Sequence, residues 1–224
     1  SLSNEIWHEF LKFLARLVAV PVFQIRHRGR HFLPRSGGGL ILSNHQSNLD
    51  PILIGLGCQR RLNYVARRTL LRVAPLRWLL NSLDTIPIDR EGSGFGGLKE
   101  TLKRLKRGEL VLLFPEGTRT PDGEVHAIKP GFCAIARRSG VPLIPMALDG
   151  AFEAWPRHRS IPRPAVVHVE FGEPIAPEQV ARLSDDELVR EVERRIRQSH
   201  ESTRRSRKLA AGSASKPLRR RHSD

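Results

Sequence analysis

Apolar side chains recur at helical spacing near the start of the chain. Ile6, Trp7, Phe10, Leu11, Phe13, Leu14, Leu17 and Val18 share one stripe, with Glu9, Lys12 and Arg16 opposite it. The pattern predicts an amphipathic helix over residues 5–20, ended by Pro21, which cannot donate a backbone hydrogen bond. Such a stripe serves either of two purposes: packing on the protein's own core, or lying in the interface of a membrane.

Short apolar runs then alternate with helical patterns. Strands are predicted at Val22–His27, Leu40–Ser43, Leu62–Ala66, Thr85–Ile88, Glu109–Phe114, Leu143–Leu148 and Val166–Phe171. Helices are predicted at Pro51–Gly57, Thr69–Leu83, Leu98–Leu105, Phe132–Arg138 and from the Ser184-x-x-Glu187 capping box onward, with Leu188, Val192 and Ile196 as the stripe. Asp50 before Pro51 reads as an N-cap. Strands separated by helices specify an α/β fold with a mostly parallel central sheet flanked by helices. Three units follow: an N-terminal helix (1–21), a catalytic-type domain (22–200), and a segment (201–224) of Arg, Ser and Ala with few large apolar residues, expected to be a disordered basic tail.

Charge changes this picture. The 224 residues carry 38 Lys+Arg against 23 Asp+Glu, a net +15, and residues 194–224 hold 11 basic and only 2 acidic side chains. A basic end of this kind suits a polyanion, either nucleic acid or an anionic membrane surface. Sparse aromatics argue against single-stranded nucleic acid, which needs stacking platforms. The longest charge-free run near the start, Leu17–Ile25, is far short of the ~20 residues that span a bilayer. Glu5, Glu9, Lys12 and Arg16 break up any secretory leader within these residues. Cys58 and Cys133 lie in apolar stretches and read as buried free thiols. The remaining histidines show no metal spacing, so no metal or cofactor is expected. Gly92–Gly97 lacks phosphate-loop spacing and reads as a flexible connection.

Candidate chemistry gathers where strands end. Asn44-His45-Gln46-Ser47-Asn48-Leu49-Asp50 follows one strand, Asp89-Arg90 a second, and Pro115-Glu116-Gly117-Thr118-Arg119 a third. In a parallel sheet all three sets meet at one edge, where ligands bind. A histidine can take a proton near neutral pH, and a carboxylate on its far nitrogen fixes the tautomer. His45 and Asp50 could form that pair, or be a loop residue and a helix cap. No Ser or Cys stands in a nucleophile-elbow pattern, so the pair would activate a substrate hydroxyl. Arg90 and Arg119 could clamp a phosphate bidentately, or make surface ion pairs.

Four blocks in order sharpen these alternatives. Asn44-His45-x-x-x-x-Asp50, Ile86-Pro87-Ile88-Asp89-Arg90, Phe114-Pro115-Glu116-Gly117-Thr118-Arg119 and Val141-Pro142-Leu143-Ile144-Pro145 resemble the four sequence blocks of the glycerolipid acyltransferase family. The resemblance covers roughly residues 20–175. It implies acyl transfer from an acyl thioester, acyl-CoA or acyl carrier protein, to the free hydroxyl of a lysophospholipid. His45 would be the general base and Asp50 its orienting partner. Arg90, Glu116, Gly117, Thr118 and Arg119 would bind the acceptor. The Pro-Glu-Gly-Thr-Arg form resembles enzymes acting on 1-acylglycerol-3-phosphate to give phosphatidic acid more than those acting on glycerol 3-phosphate. Pro87 departs from the bulky residues common in the second block, and a single N-terminal helix stands where the family often has a pair. The implied setting is peripheral, on the cytoplasmic face of a membrane. A different lysolipid or amino-lipid acceptor, and a non-catalytic polyanion-binding role, remain as alternatives.

Overall fold

A computed structural model describes residues 2–67, 85–88 and 95–214, with the side chains of residues 2–12, 66–67, 85, 87–88, 95 and 211–214 outside the description. Among the described residues seven strands form one sheet in the order β1-β7-β6-β2-β5-β3-β4. They are β1 (Arg26–Arg28), β2 (Gly39–Ser43), β3 (Leu62–Arg67), β4 (Thr85–Ile88), β5 (Leu110–Leu113), β6 (Leu143–Asp149) and β7 (His168–Phe171). Every pairing is parallel except that of β6 with β7. The helices are α1 (Leu2–Phe23), α2 (Asp50–Gly55), α3 (Phe95–Lys106), α4 (Gly131–Ser139), α5 (Ala151–Ala154), α6 (Pro177–Arg182) and α7 (Asp185–Ala214).

Strand periodicity divides the core in two. In β2, Leu40 and Leu42 point to one face and Ile41 to the other, and all three are wholly buried. A parallel strand covered on both faces needs such an unbroken apolar run, which is why β2 and β6 show no polar alternation. One face carries α1 and α2 through Ala19, Phe23, Leu53 and Ile54. The other carries α3, α4 and α7 through Leu105, Phe132, Ile135, Leu188, Val192 and Ile196. The predicted stripe of α7 is thus its buried face, each large side chain stabilising by about 1.5–3 kcal/mol. Ser184 and Glu187 form the capping box, with Ser184 N–H donating to Glu187 Oε2 at 2.8 Å and Glu187 N–H to Ser184 Oγ at 3.3 Å.

Both ends of the chain differ from the sequence reading. Helix α1 runs through Pro21 to Phe23, two residues beyond the expected stop. Proline costs one hydrogen bond in the last turn, and the i, i+4 pair Ala19 and Phe23 buries together against the core. Gln24 then ends the helix in the left-handed region, with φ 39°. The first strand is correspondingly shorter, Arg26–Arg28 in place of Val22–His27. Within α1, Ala19 and Phe23 face inward, whereas Phe13, Leu14, Leu17 and Val18 of the expected stripe are outward, Phe13 and Leu17 each 63% exposed, as is Val20 beside them.

At the other end, α7 carries the chain past residue 200, where the sequence reading begins a tail. Residues 201–214 continue the helix as far as Ala214. Arg, Lys, Ala and Leu are strong helix formers, and acids on the body of the protein receive the arginines, so large apolar residues are not needed for order here. Residues 215–224 and the expected helix Thr69–Leu83 lie outside the described residues. Helix α3 begins at Phe95 and so takes in Gly96 and Gly97 of the expected glycine-rich connection. No helix among the described residues is long and apolar enough to cross a membrane.

Candidate active site

The carboxyl ends of β2, β5 and β6 lie side by side, because β2 pairs in parallel with both neighbours. The loop after β2 is first fixed by Asn44. Its side chain donates to Leu148 O and accepts from Leu148 N–H, both at 3.0 Å, and so stands in for a ladder pair at the end of β6. Burial at 1% exposure makes those bonds expensive to lose.

His45 follows and is held from four sides. Its N–H donates to Glu116 Oε1 at 3.2 Å, and its carbonyl accepts from Thr120 N–H at 2.7 Å. The ring stacks on Phe114 with centroids 3.9 Å apart and planes 14° apart. Nδ1 lies 2.7 Å from Asp50 Oδ2. A carboxylate only accepts, so Nδ1 carries the proton and Nε2 is left with the lone pair. Nε2 has no hydrogen-bond partner among the described residues, and the side chain is 19% exposed.

Asp50 is wholly buried. It is not the N-cap of α2 but its first residue, with Leu49 as the cap. Its carboxylate turns back on the preceding loop, where Oδ2 also accepts from Gln46 N–H at 2.6 Å and Ser47 N–H at 2.8 Å. Three donors on one oxygen compensate the burial of a charge and fix the five-residue turn that brings His45 over Asp50. Asp50 Oδ1 has no hydrogen-bond partner among the described residues.

Glu116 closes the site from β5. It sits at 3% exposure in a turn made by Gly117, whose φ of 75° favours glycine and whose N–H donates to Phe114 O at 3.0 Å. Burial pushes the Glu116 carboxyl up to about 7, against the opposing backbone N–H groups of His45 and His126. Oε2 is buried with no hydrogen-bond partner among the described residues. Thr118 on the same turn is exposed and Arg119 is half-buried. The structure therefore brings His45, Asp50, Glu116, Gly117, Thr118 and Arg119 to one edge. Arg90 lies outside the described residues.

Neither nearby hydroxyl is available as a nucleophile. Ser43 Oγ donates to Asn44 O at 2.9 Å and Ser47 Oγ to Trp155 O at 2.9 Å. Among the described residues no three His, Cys, Asp or Glu side chains are arranged to hold a metal ion. Three residues matter that sequence reasoning passed over: Asn44 and Gln46 as anchors, and Phe114 as the surface beneath the imidazole. An aromatic residue directly before Pro115 and amides flanking His45 were the available signals.

Fold and site together define a class: an α/β enzyme with a histidine–aspartate pair at the carboxyl edge of its sheet and, among the described residues, no free serine hydroxyl beside it. The chain belongs to the acyltransferase family, whose profile matches residues 24–149. It is similar to 1-acyl-sn-glycerol-3-phosphate acyltransferase from Pseudomonas aeruginosa, 34% identical over 170 residues, covering 74% of this chain and 64% of that one. The enzyme of the same name from Bacillus subtilis is 30% identical over 156 residues, covering 69% of this chain and 75% of that one. A chloroplastic relative from Arabidopsis thaliana is matched over only 43% of its length. Among solved structures, the 1-acyl-sn-glycerophosphate (LPA) acyltransferase PlsC from Thermotoga maritima superposes with a TM-score of 0.77 at 25% identity, covering 90% of this chain and 81% of that one.

Proposed function

We propose that this chain transfers an acyl group from an acyl thioester to the free hydroxyl of 1-acylglycerol-3-phosphate, giving phosphatidic acid. The observation that carries the reading is the His45 Nδ1–Asp50 Oδ2 contact of 2.7 Å, which leaves Nε2 as the base. Nε2 takes the hydroxyl proton as the acceptor oxygen attacks the thioester carbonyl. The buried Asp50 carboxylate stabilises the imidazolium that forms. The C–S bond then breaks, and the thiolate leaves with the proton from His45. No covalent enzyme intermediate is required. Arg119, and Arg90 by family resemblance, bind the acceptor phosphate, while Glu116, Gly117 and Thr118 shape the acceptor side of the pocket. The donor is acyl-CoA or an acyl carrier protein.

The relatives' names support this acceptor, and the exposed face of α1 supports a membrane setting. Phe13, Leu14, Leu17, Val18 and Val20 present apolar surface outward on a helix whose other side, through Ala19 and Phe23, is fixed to the core. That arrangement suits a helix lying in an anionic membrane surface, on the cytoplasmic face, beside a lipid substrate. The test is a transfer assay with a panel of lysolipids and both thioester donors. 1-Acylglycerol-3-phosphate should be the preferred acceptor. Arg119→Gln should raise the KM for this acceptor about tenfold or more, as expected on losing a charge-assisted phosphate contact, with little change for the donor. Equal loss for both substrates contradicts the assignment.

A further inference from the structure

The basic segment that the sequence assigns to a tail is paired with acids on the body of the protein. Asp149, at the end of β6, is 1% exposed. Arg207 Nε lies 2.5 Å from its Oδ2, Arg204 Nε 3.6 Å and His200 Nε2 3.5 Å from its Oδ1. Burial alone would raise this carboxyl, but the hydrogen bonds from His200 and Arg207 outweigh it and hold it at about 2. Arg207 also reaches Glu153 Oε1 at 2.7 Å, and Arg204 grips Glu124 through two bonds of 2.6 and 3.0 Å. One turn of α7 therefore ties together two turns of the chain, the loop at 122–124 and the tight β6–α5 turn at 149–153.

Those same two turns hold Gln46. The Gln46 side chain is 1% exposed, and both the nitrogen and the oxygen of its amide are hydrogen-bonded. Nε2 donates to Gly123 O at 2.7 Å, and Oε1 accepts from Ala151 N–H at 3.2 Å and Phe152 N–H at 3.3 Å. His200 Nε2 lies 3.4 Å from Gln46 Nε2. Gly150 permits the turn, with φ 100°, and a Cβ there would meet Val166 O at 2.1 Å. Gln46 is the residue after His45, and its N–H is one of the three donors on Asp50. The chain of contacts thus runs from Arg204 and Arg207, through the two turns, to Gln46 and the base.

We infer that His200, Arg204 and Arg207 form a clamp that positions the catalytic loop through Gln46, so that this part of the basic segment serves catalysis and not lipid attachment. The inference rests on the reading of His45 as the base. Gln46 is a positioning residue: it touches no reacting atom, and its loss should displace His45 and Asp50 without altering the acceptor pocket. Displacements of about 1 Å cost roughly 100-fold in rate.

The test uses the full chain in two arms. In the kinetic arm, Gln46→Met and Arg207→Gln should lower kcat by about 10- to 100-fold while the acceptor KM changes less than about threefold. Val192→Ala loosens the same helix in its apolar stretch, about two turns before His200, and should lower Tm with kcat unchanged. In the exchange arm, Arg207→Gln should speed hydrogen exchange at the Gln46 and Ser47 amides about tenfold. This readout does not depend on His45 acting as the base, so a failed clamp and a failed base are told apart. If Gln46→Met does not fold, Arg207→Gln carries both arms. A folded Arg207→Gln protein with kcat within twofold of the parent, or with unchanged exchange at residues 46 and 47, overturns the clamp.

Discussion

The two ends of this chain look alike in sequence and differ in the structure. Both suggest a membrane, one by an apolar stripe and one by a run of arginines. Helix α1 keeps Phe13 and Leu17 exposed, with no described part of the protein covering them. The turn of α7 from His200 to Arg207 does the reverse, directing Arg204 and Arg207 onto Glu124, Asp149 and Glu153. A net charge of +15 does not say which charges are free to meet an anionic surface. The partner of each charge does. By that measure the N-terminal helix has apolar surface open for the lipid contact proposed above, and the proximal C-terminal segment is committed to acids on the body of the protein.

Truncation is the strongest way to break this contrast. A chain ending at Ser199 loses the whole clamp and should lose at least about 100-fold in kcat, on a water-soluble short-chain acceptor. A chain ending at Ala210 keeps every clamp contact and should stay within about threefold of the parent. Equal behaviour of the two truncations would return residues 200–210 to the role of a dispensable tether. A second test works on the other end. Phe13→Ser with Leu17→Ser removes two exposed apolar side chains, each worth about 1.5–3 kcal/mol on burial. Binding to anionic vesicles should fall roughly 100-fold or more, with turnover of the soluble acceptor unchanged. Vesicle binding that survives this change but is lost on truncation at Ala210 would assign lipid attachment to the C-terminus.

The smallest effect separates two buried carboxylates. Glu116 is raised from 4.5 to about 7, so the folded state holds its proton more tightly than the unfolded state. Its contribution to stability is full below pH 4.5 and is lost as pH rises through about 7, by up to roughly 3 kcal/mol. Asp149 is lowered from 3.8 to about 2, so its contribution is present above pH 3.8 and is lost as pH falls through 2. Denaturant midpoints of Glu116→Gln should therefore decline less than the parent's between pH 5 and 7. A parent and variant with parallel profiles across that window would show that burial does not perturb Glu116.

Much of the fold was legible because it depends on local periodicity. The apolar runs at Leu40–Leu42 and Leu143–Leu148 and the stripe at Leu188, Val192 and Ile196 all became core. The site was legible where residues close in sequence close in space, as for His45 and Asp50. What was not legible depends on distant partners. The Gln46–His200 contact spans 154 positions, and the Arg207–Asp149 pair spans 58. Composition marked residues 201–214 as unable to build a core, and they build none. They are held by ion pairs to acids that composition does not locate. One signal was present: His200, Thr203, Arg204 and Arg207 recur at i, i+3, i+4 and i+7, the spacing of a buried helical face. Helix α1 was misjudged at Pro21 because a proline in the last turn forfeits only one bond, which the packing of Phe23 offsets.

The central claim is that the imidazole of His45, fixed by Asp50, removes the proton from a lipid hydroxyl. It is tested most directly by single-turnover acyl transfer to 1-acylglycerol-3-phosphate with His45→Ala protein whose thermal melt matches the parent. The account predicts a loss of about 100- to 10,000-fold in the transfer step, with both substrates still bound. Transfer at the parental rate by that folded variant would contradict it.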